Sequence, residues 1–397
     1  MEPQSQWLTE AGFKWRTSQH LDYDRGLKEF LEKAFRKRMP ALIDFSLKNQ
    51  TVAKMLQHLR RHTTGSIATA YQYTYGIWRY HLFVNSQPDA ILSECWDKNG
   101  DVLPKMIRKH EQLVDDFYGH IQEQGQAPGT IANYVKGVKA LYRESRLQLQ
   151  LPRYPRTVLY PYRSPTPDEL RRLLTAANLR ERLIVYLLSL TGVRLGTFCK
   201  LTYGHVKEDL DRGMVPLLIR IEPAIVKGLY AGYWTFLGPE GVECLKATLA
   251  ERRMGTGKIP PETLHNESPL IRDSRCATEV RPITPGQVWL TVNQLYQKAG
   301  LIEKCPQKHV KRQQCVSCDY PTKSKRRYEL RVHSLRYFFR TNLTCAGVNP
   351  GYAEFMMGHK GPLYNDVRSK GIEFLRDIYR ASVLALSKRR PPADWTC

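Results

Sequence analysis

Five prolines in one short stretch limit what this 397-residue chain can fold into more than any other feature. Proline fixes its own backbone angle and lacks an amide donor, so it disrupts the interior of a helix or a central strand. We therefore expect an extended linker over residues 151–166. Thr166 can cap a helix, Pro167 suits its first position, and Glu169 lies three residues after the cap. A second domain is predicted to begin at residue 167. The five prolines are Pro152, Pro155, Pro161, Pro165 and Pro167.

The region before the linker has helical periodicity. Ser66 can cap one helix, and another begins near Thr130, because apolar residues recur after each at close to the 3.6-residue period. Lysines and arginines lie between these apolar residues, and such a basic face is either a solvated bundle surface or a DNA contact. Residues 56–150 are predicted to form a helical domain, and residues 1–55 are an arm that we leave unassigned.

The region after the linker mixes helices with a small β-structure. Residues 167–190 are helix-like, Val215–Ile221 is β-branched, and Ile225–Phe236 has the glycines and aromatics of a hairpin. Helices resume near 240–253 and again from about 284. The predicted fold class is mainly α with a small β-sheet or hairpin, an α+β fold whose second domain spans 167–387 and is followed by a tail, 388–397.

The charge indicates a polyanionic partner. Sixty-one Lys and Arg residues against 38 Asp and Glu give a net charge of +23. The alternative, a membrane-surface protein, needs a basic amphipathic or lipidated segment, which we do not find. The first residues hold no signal-like apolar run, and the longest apolar stretch, Leu183–Leu190, is too short to cross a bilayer. Nine cysteines, mostly single, fit reduced core residues. We expect a cytoplasmic, nucleoid-associated protein.

Six residues could together act on a phosphodiester. This chemistry needs a nucleophile, cations for the non-bridging oxygens, and a proton for the leaving 5′ oxygen. Arginine suits the second task because its planar fork donates two hydrogen bonds and stays protonated. His333 and Arg336 fall on one helical face, and Gly358 is typical of a buried helix end that would hold His359 rigidly. The candidates are Arg194, Lys227, His333, Arg336, His359 and Tyr364.

The motifs around these residues resemble those of the tyrosine site-specific recombinases, or phage-type integrases. Thr191-Gly192-Val193-Arg194 with Leu201 resembles the first signature box of the family. Residues 333–341, followed by Gly347 and Gly358-His359, resemble the second. The segment from Tyr364 to Arg376 is similar to the archaeal integrase branch, and the likeness covers about residues 60–386.

The resemblance implies a fold and a mechanism. Residues 56–150 would be the SAM-like core-binding domain and 167–387 the catalytic domain of a C-shaped clamp around duplex DNA, with four protomers at synapsis. Arg194 and Arg336 would hold the scissile phosphate, His333 and His359 would serve proton transfer and hydrogen bonding, and Lys227 would protonate the leaving 5′ hydroxyl. Tyr364 would form a 3′-phosphotyrosyl bond, without ATP or a catalytic metal. The expected output is integration or excision of a mobile element, such as an archaeal virus or plasmid.

Two positions depart from the family pattern. Thr197 stands where an acidic residue is usual, so Arg194 must be supported from elsewhere. Tyr364 follows His359 by only five residues, a short gap that the archaeal branch shares, and its attack in its own protomer or in a neighbour's stays open. Tyr379 is the alternative nucleophile, although its apolar neighbours at helical spacing are typical of a packing tyrosine.

A second group of residues could bind a structural zinc ion. It lies in a basic insertion, 304–326, and combines one histidine with three cysteines, two of them in a C-x2-C pair. The alternative is a solvated basic loop with incidental cysteines. The four residues are Cys305, His309, Cys315 and Cys318.

Two other functions remain open at this point. A DNA-relaxing enzyme of the type IB topoisomerase kind uses related chemistry, although the second box and the modest length disfavour it. A DNA-binding regulator with an inactive recombinase fold is the alternative outside enzymes, and the presence of all six candidates disfavours it.

Overall fold

The structure is a computed structural model that describes residues 26–62, 65–154, 161–227, 231–302 and 328–382. The chain divides into two compact units, Met1–Leu159 and Tyr160–Cys397, and the division falls within the proline-rich segment. No helix within the described ranges has the length and apolar character needed to cross a membrane. The insertion that holds the four predicted zinc ligands lies outside the described residues.

The first unit is helical. Ser66 caps α4 by accepting a hydrogen bond from the amide of Thr69, as predicted, and α7 begins at Pro128, two residues before the predicted start. A Cβ on Gly76 would lie 2.6 Å from the backbone of Tyr134, so glycine is needed where α4 and α7 pack together. The helices are α1 (26–35), α2 (Ala41–Lys48), α3 (Gln50–His62), α4 (Ile67–Val84), α5 (Pro88–Ser93), α6 (Pro104–Glu123) and α7 (Pro128–Glu144).

The segment 26–55, which the sequence leaves unassigned, contributes to the core of the first unit. Leu31 and Phe35 of α1, Leu42 of α2 and Val52 of α3 are all fully buried in the same apolar cluster as the helices that follow. Because burial of such side chains is the main favourable term in folding, these residues belong to the helical unit itself.

The second unit is built around α9. This helix is buried on nearly all sides, and α12 and α14 pack against it. The predicted capping box at Thr166 is confirmed, because its side chain and that of Glu169 each accept a hydrogen bond from the other residue's amide. The helices are α8 (Pro167–Ala176), α9 (Leu179–Thr191), α10 (Leu195–Phe198), α11 (Gly204–Asp211), α12 (Pro239–Met254), α13 (Pro285–Lys298), α14 (Val332–Cys345), α15 (Pro350–Met356), α16 (Tyr364–Ser369) and α17 (Ile372–Ala381).

Two antiparallel strands complete the second unit. Strand β1 (Leu217–Ile221) pairs with β2 (Tyr233–Leu237), and a single 3-10 turn, Pro223–Ile225, lies in the connection between them. Most side chains of both strands are buried, because helices cover the sheet. The predicted fold class, mainly α with a small β-sheet, is confirmed.

Candidate active site

The first arginine of the site is fixed by a left-handed turn. Helix α9 ends at Gly192, whose φ of 62° favours glycine and whose Cβ would lie 2.4 Å from the ring of Phe339. The chain therefore turns sharply and presents Arg194 at the start of α10. Its Nη1 donates a hydrogen bond to the carbonyl of Gly358 at 2.8 Å. Arg194 is thus held by the backbone of a distant segment.

Arg336, on α14, lies beside it and is only 3% exposed. Its guanidinium donates to the carbonyl of Gly192, to the carbonyl of Met357 at 2.8 Å, and to Nε2 of His359 at 3.0 Å. Arg194 and His359 therefore lie together beside Arg336, although more than 160 positions separate them in the sequence.

The contacts of His359 fix its tautomer. Arginine can only donate, so Nε2 accepts from Arg336 and the proton lies on Nδ1, which donates to the carboxylate of Glu354. Arg340 binds the other oxygen of that carboxylate at 2.9 Å. The end of α15 is buried, as predicted, with Met356 at 0% and Met357 at 3% exposure, but the side chain of His359 itself is 39% exposed. These polar contacts, and not burial, hold the ring.

Two residues that the sequence did not single out shape this part of the site. Glu354, five positions before His359, orients the imidazole as just described. Tyr233, at the start of β2, is buried with its ring against Gly358, where a Cβ would lie 2.3 Å away. Gly358 also has a φ of 69°, so both its conformation and its contact require glycine. The position of Glu354 five residues before His359 could have indicated its role from the sequence alone. Nothing near Tyr233 in the sequence indicates its contact with Gly358.

The electrostatics favour an anion. Burial and the nearby charge of Arg194 lower the pKa of Arg336 to about 10. The side chain of His333 reaches solvent on α14, but the surrounding protein still removes part of its hydration. This desolvation, followed by the charges of Arg336, Arg194 and His359, lowers the pKa of His333. A negative charge between Arg194, Arg336 and His333 would offset the repulsion among them, and a bound phosphate supplies such a charge.

Lys227 is exposed just after the 3-10 turn in the β1–β2 connection. Thr197, which stands in place of the usual acidic residue, is buried and donates a hydrogen bond from Oγ1 to the carbonyl of Ile225 at 3.2 Å. Thr197 therefore anchors the turn that leads to Lys227, while the Gly358 carbonyl supports Arg194.

Tyr364 is the first residue of α16 and is 8% exposed. Its hydroxyl donates to the carbonyl of Gly232, just before β2, and accepts from Nη1 of Arg368 at 3.1 Å. Its ring centroid lies 5.2 Å from that of Phe355 on α15. The phenol therefore lies between the hairpin and the segment that carries His359.

Tyr379, the alternative nucleophile, lies in the core. Its hydroxyl donates to the carbonyl of Leu190 at 2.9 Å, and its ring packs 5.7 Å from that of Phe236. Burial raises the pKa of Tyr379, which opposes formation of the phenolate that attack requires. Both contacts are those of a packing tyrosine.

The described residues contain no group of three or more His, Cys, Asp or Glu side chains that could hold a metal ion. Their five cysteines are free thiols, and Cys95, Cys199 and Cys244 are buried. Since the predicted zinc ligands lie outside these ranges, the zinc hypothesis stays a prediction.

The solved structures that resemble this chain agree on its fold. Neither the protein-family models nor the curated proteins gave a match. The XerH site-specific recombinase bound to palindromic difH substrate, a post-cleavage complex, is 15% identical; the match covers 90% of this chain and 94% of that one, with a TM-score of 0.52. A lambda integrase(75–356) dimer bound to a COC′ core site is 14% identical, with coverage of 81% and 96% and a TM-score of 0.50. At these identities the likeness concerns the fold, and this chain has the fold of the tyrosine recombinases.

Proposed function

We propose that this chain is a site-specific DNA recombinase that cuts and rejoins duplex DNA through a 3′-phosphotyrosyl intermediate. The observation that carries the proposal is the convergence of Arg194, Arg336 and His359: both guanidiniums donate to the Met357-Gly358 backbone, and Arg336 also donates to the imidazole of His359. Two guanidiniums gathered at one place suit the oxygens of a phosphodiester.

In this proposal the hydroxyl oxygen of Tyr364 attacks phosphorus, and the bond to the 5′ oxygen breaks. Neutral His333 accepts the proton of the tyrosine, and Lys227 protonates the departing 5′ oxygen. Arg194 and Arg336 bind the non-bridging oxygens as charge grows on them, and His359 holds the guanidinium of Arg336 through Nε2. Rejoining reverses each step. One phosphoester replaces another, so the reaction requires no ATP, and the arginines perform the neutralisation for which other enzymes use a metal.

Duplex DNA is the proposed partner. The net charge of +23 favours a polyanion, and the two similar structures were solved with a difH substrate and a COC′ core site. Exchange between two duplexes requires four strand cleavages, so we propose four protomers at synapsis. The biological role that fits is integration or excision of a mobile element, in the cytoplasm at the nucleoid, and the archaeal integrase branch is the proposed relationship.

The covalent intermediate provides the test. The full-length protein is incubated with nicked suicide duplexes that carry candidate attachment sites, without metal or ATP. We expect a DNA-linked band that Tyr364→Phe abolishes and that Tyr379→Phe and Tyr352→Phe retain. Tyr352 is the matched control, because it loses a phenol hydroxyl on neighbouring α15.

Other outcomes would point elsewhere. Loss of the band only in Tyr379→Phe would contradict the assignment of the nucleophile. Tight binding with no adduct from any variant would favour the inactive DNA-binding regulator. An adduct together with relaxation of supercoiled DNA lacking any attachment site would favour the topoisomerase-like enzyme.

A structural zinc ion bound by Cys305, His309, Cys315 and Cys318 remains a separate proposal, supported by the ligand types and by the C-x2-C pair. Metal analysis of the purified chain and of its Cys315→Ser, Cys318→Ser variant tests it. One equivalent of zinc in the first and none in the second is expected, and a metal-free parent chain would contradict it.

A further inference from the structure

Three aromatic rings meet at the exposed end of the candidate site. The ring of Tyr162 lies 5.5 Å from that of His333 and 4.9 Å from that of Tyr337, and the His333 and Tyr337 rings lie 5.5 Å apart. All three pairs are edge-to-face, with interplanar angles between 61° and 78°. This is the favourable arrangement of such rings, and both tyrosine rings contact the imidazole.

Tyr162 is itself held at several points. Its hydroxyl donates to that of Tyr337 at 3.2 Å, and the guanidinium of Arg331 lies 5.5 Å over its ring. The next residue, Arg163, donates its amide to the carbonyl of Glu329 at 3.2 Å. The end of the proline-rich segment is therefore fastened to the chain that leads into α14.

We propose that Tyr162 is a positioning residue for His333: its ring, together with Tyr337, holds the imidazole at the angle from which it serves the scissile phosphate. The role rests on the proposed recombinase function, and it gives the proline-rich segment a part in the chemistry.

The charges around His333 define a measurable consequence. Arg336 from α14, Arg194 from the start of α10 and His359 after α15 act on its ring, and Arg331 lies behind Tyr162. Partial burial is the largest cause of the lowered pKa of His333, and the two tyrosine rings pack directly on the imidazole. Removing the ring of Tyr162 admits water, so the pKa of His333 rises toward its ordinary value, while the arginines still oppose protonation.

The experiment compares Tyr162→Ala, Tyr162→Phe and Tyr154→Ala in the full-length chain. Tyr154 is the control, because it lies on the same segment but stacks on Tyr118 in the first unit. Nuclear magnetic resonance of labelled histidine, assigned with His333→Asn, gives the pKa of His333 in the free protein. Cleavage of saturating suicide DNA from pH 5 to 9 gives the rate profile.

We expect Tyr162→Ala to raise the pKa of His333, to move the acidic limb of the rate profile to higher pH, and to slow cleavage about tenfold or more, since misplaced general bases lose much of their effect. DNA affinity stays unchanged. Tyr162→Phe keeps the ring and behaves like the parent, as does Tyr154→Ala. Where Tyr162→Ala does not fold, Tyr162→Leu, which fills the volume without an aromatic edge, carries the same expectation.

An unchanged titration of His333 in Tyr162→Ala overturns the proposal, as does an equal shift in Tyr154→Ala. The free-protein titration needs no reaction, so it decides the contact even when no protein forms an adduct. An adduct-free parent protein would instead count against the recombinase function itself.

Discussion

Arg336 keeps a positive charge at 3% exposure while its partners are two carbonyls and an imidazole. A buried cation without a facing carboxylate is costly, and a second arginine beside it adds repulsion. The lowered pKa of Arg336 has the same origin. A phosphate between the guanidiniums removes both penalties, so the charge arrangement serves the bound state better than the free protein.

Arg336→Lys tests this interpretation at the scale of one residue. Lysine retains the charge but lacks the planar fork, so it cannot reach both carbonyls and a phosphate. We expect cleavage of suicide DNA to fall by about 10²–10³-fold, the usual loss for one oxyanion donor, while DNA affinity changes little. Arg380→Lys, on the exposed side of α17, is the control. Equal rates for the two variants would contradict the proposed role.

The turn between α15 and α16 carries His359 and depends on glycine. At Gly358, alanine would need a left-handed φ, which costs about 1–2 kcal/mol, and its Cβ would meet the ring of Tyr233. We expect Gly358→Ala to lower the free energy of unfolding by at least that amount and to reduce cleavage through His359. Gly361→Ala is the matched control, because its Cβ meets nothing within 4 Å. Urea unfolding measures the change in stability, and the adduct assay measures the change in cleavage. Equal stability of the two variants would contradict the requirement for glycine at 358.

At the element scale the sequence predicted what depends on neighbouring residues. The caps at Ser66 and Thr166 were predicted correctly because a capping hydrogen bond spans only three residues. The segment 26–55 was left unassigned because its apolar residues find their partners in distant helices. In the site, the candidate residues could be chosen by type, but the support of Arg194 by Gly358 and the contact of Tyr162 with His333 depend on tertiary packing.

Among the histidines that the structure describes, three have lowered pKa values, His110 in the first unit and His205 and His333 in the second. Burial is the leading cause in each. His110 is fully buried, with Nδ1 2.9 Å from the hydroxyl of Tyr142. The unfolded chain binds a proton at these histidines more readily than the folded chain does, so protonation favours unfolding.

The resulting stability is complete above the ordinary histidine pKa of about 6.5 and is lost as the pH falls toward the lowered values. We expect the free energy of unfolding to decrease between pH 7 and pH 5, above the range in which carboxylates titrate. His110→Gln should flatten that dependence in the first unit. Denaturant unfolding at several pH values measures it, and a stability that is constant or rises toward pH 5 would contradict the expectation.

Two consecutive carbonyls, those of Met357 and Gly358, receive the two guanidiniums, Arg336 on the first and Arg194 on the second at 2.8 Å each. The length of one peptide unit is set by covalent geometry. It therefore sets the distance between the two guanidiniums. This distance does not depend on the side chain of residue 357, but an inserted or deleted residue would change it. In related chains, substitution at residue 357 would thus be compatible with activity as long as glycine remains at 358, whereas a change in the length of this segment would mark a site that has lost activity.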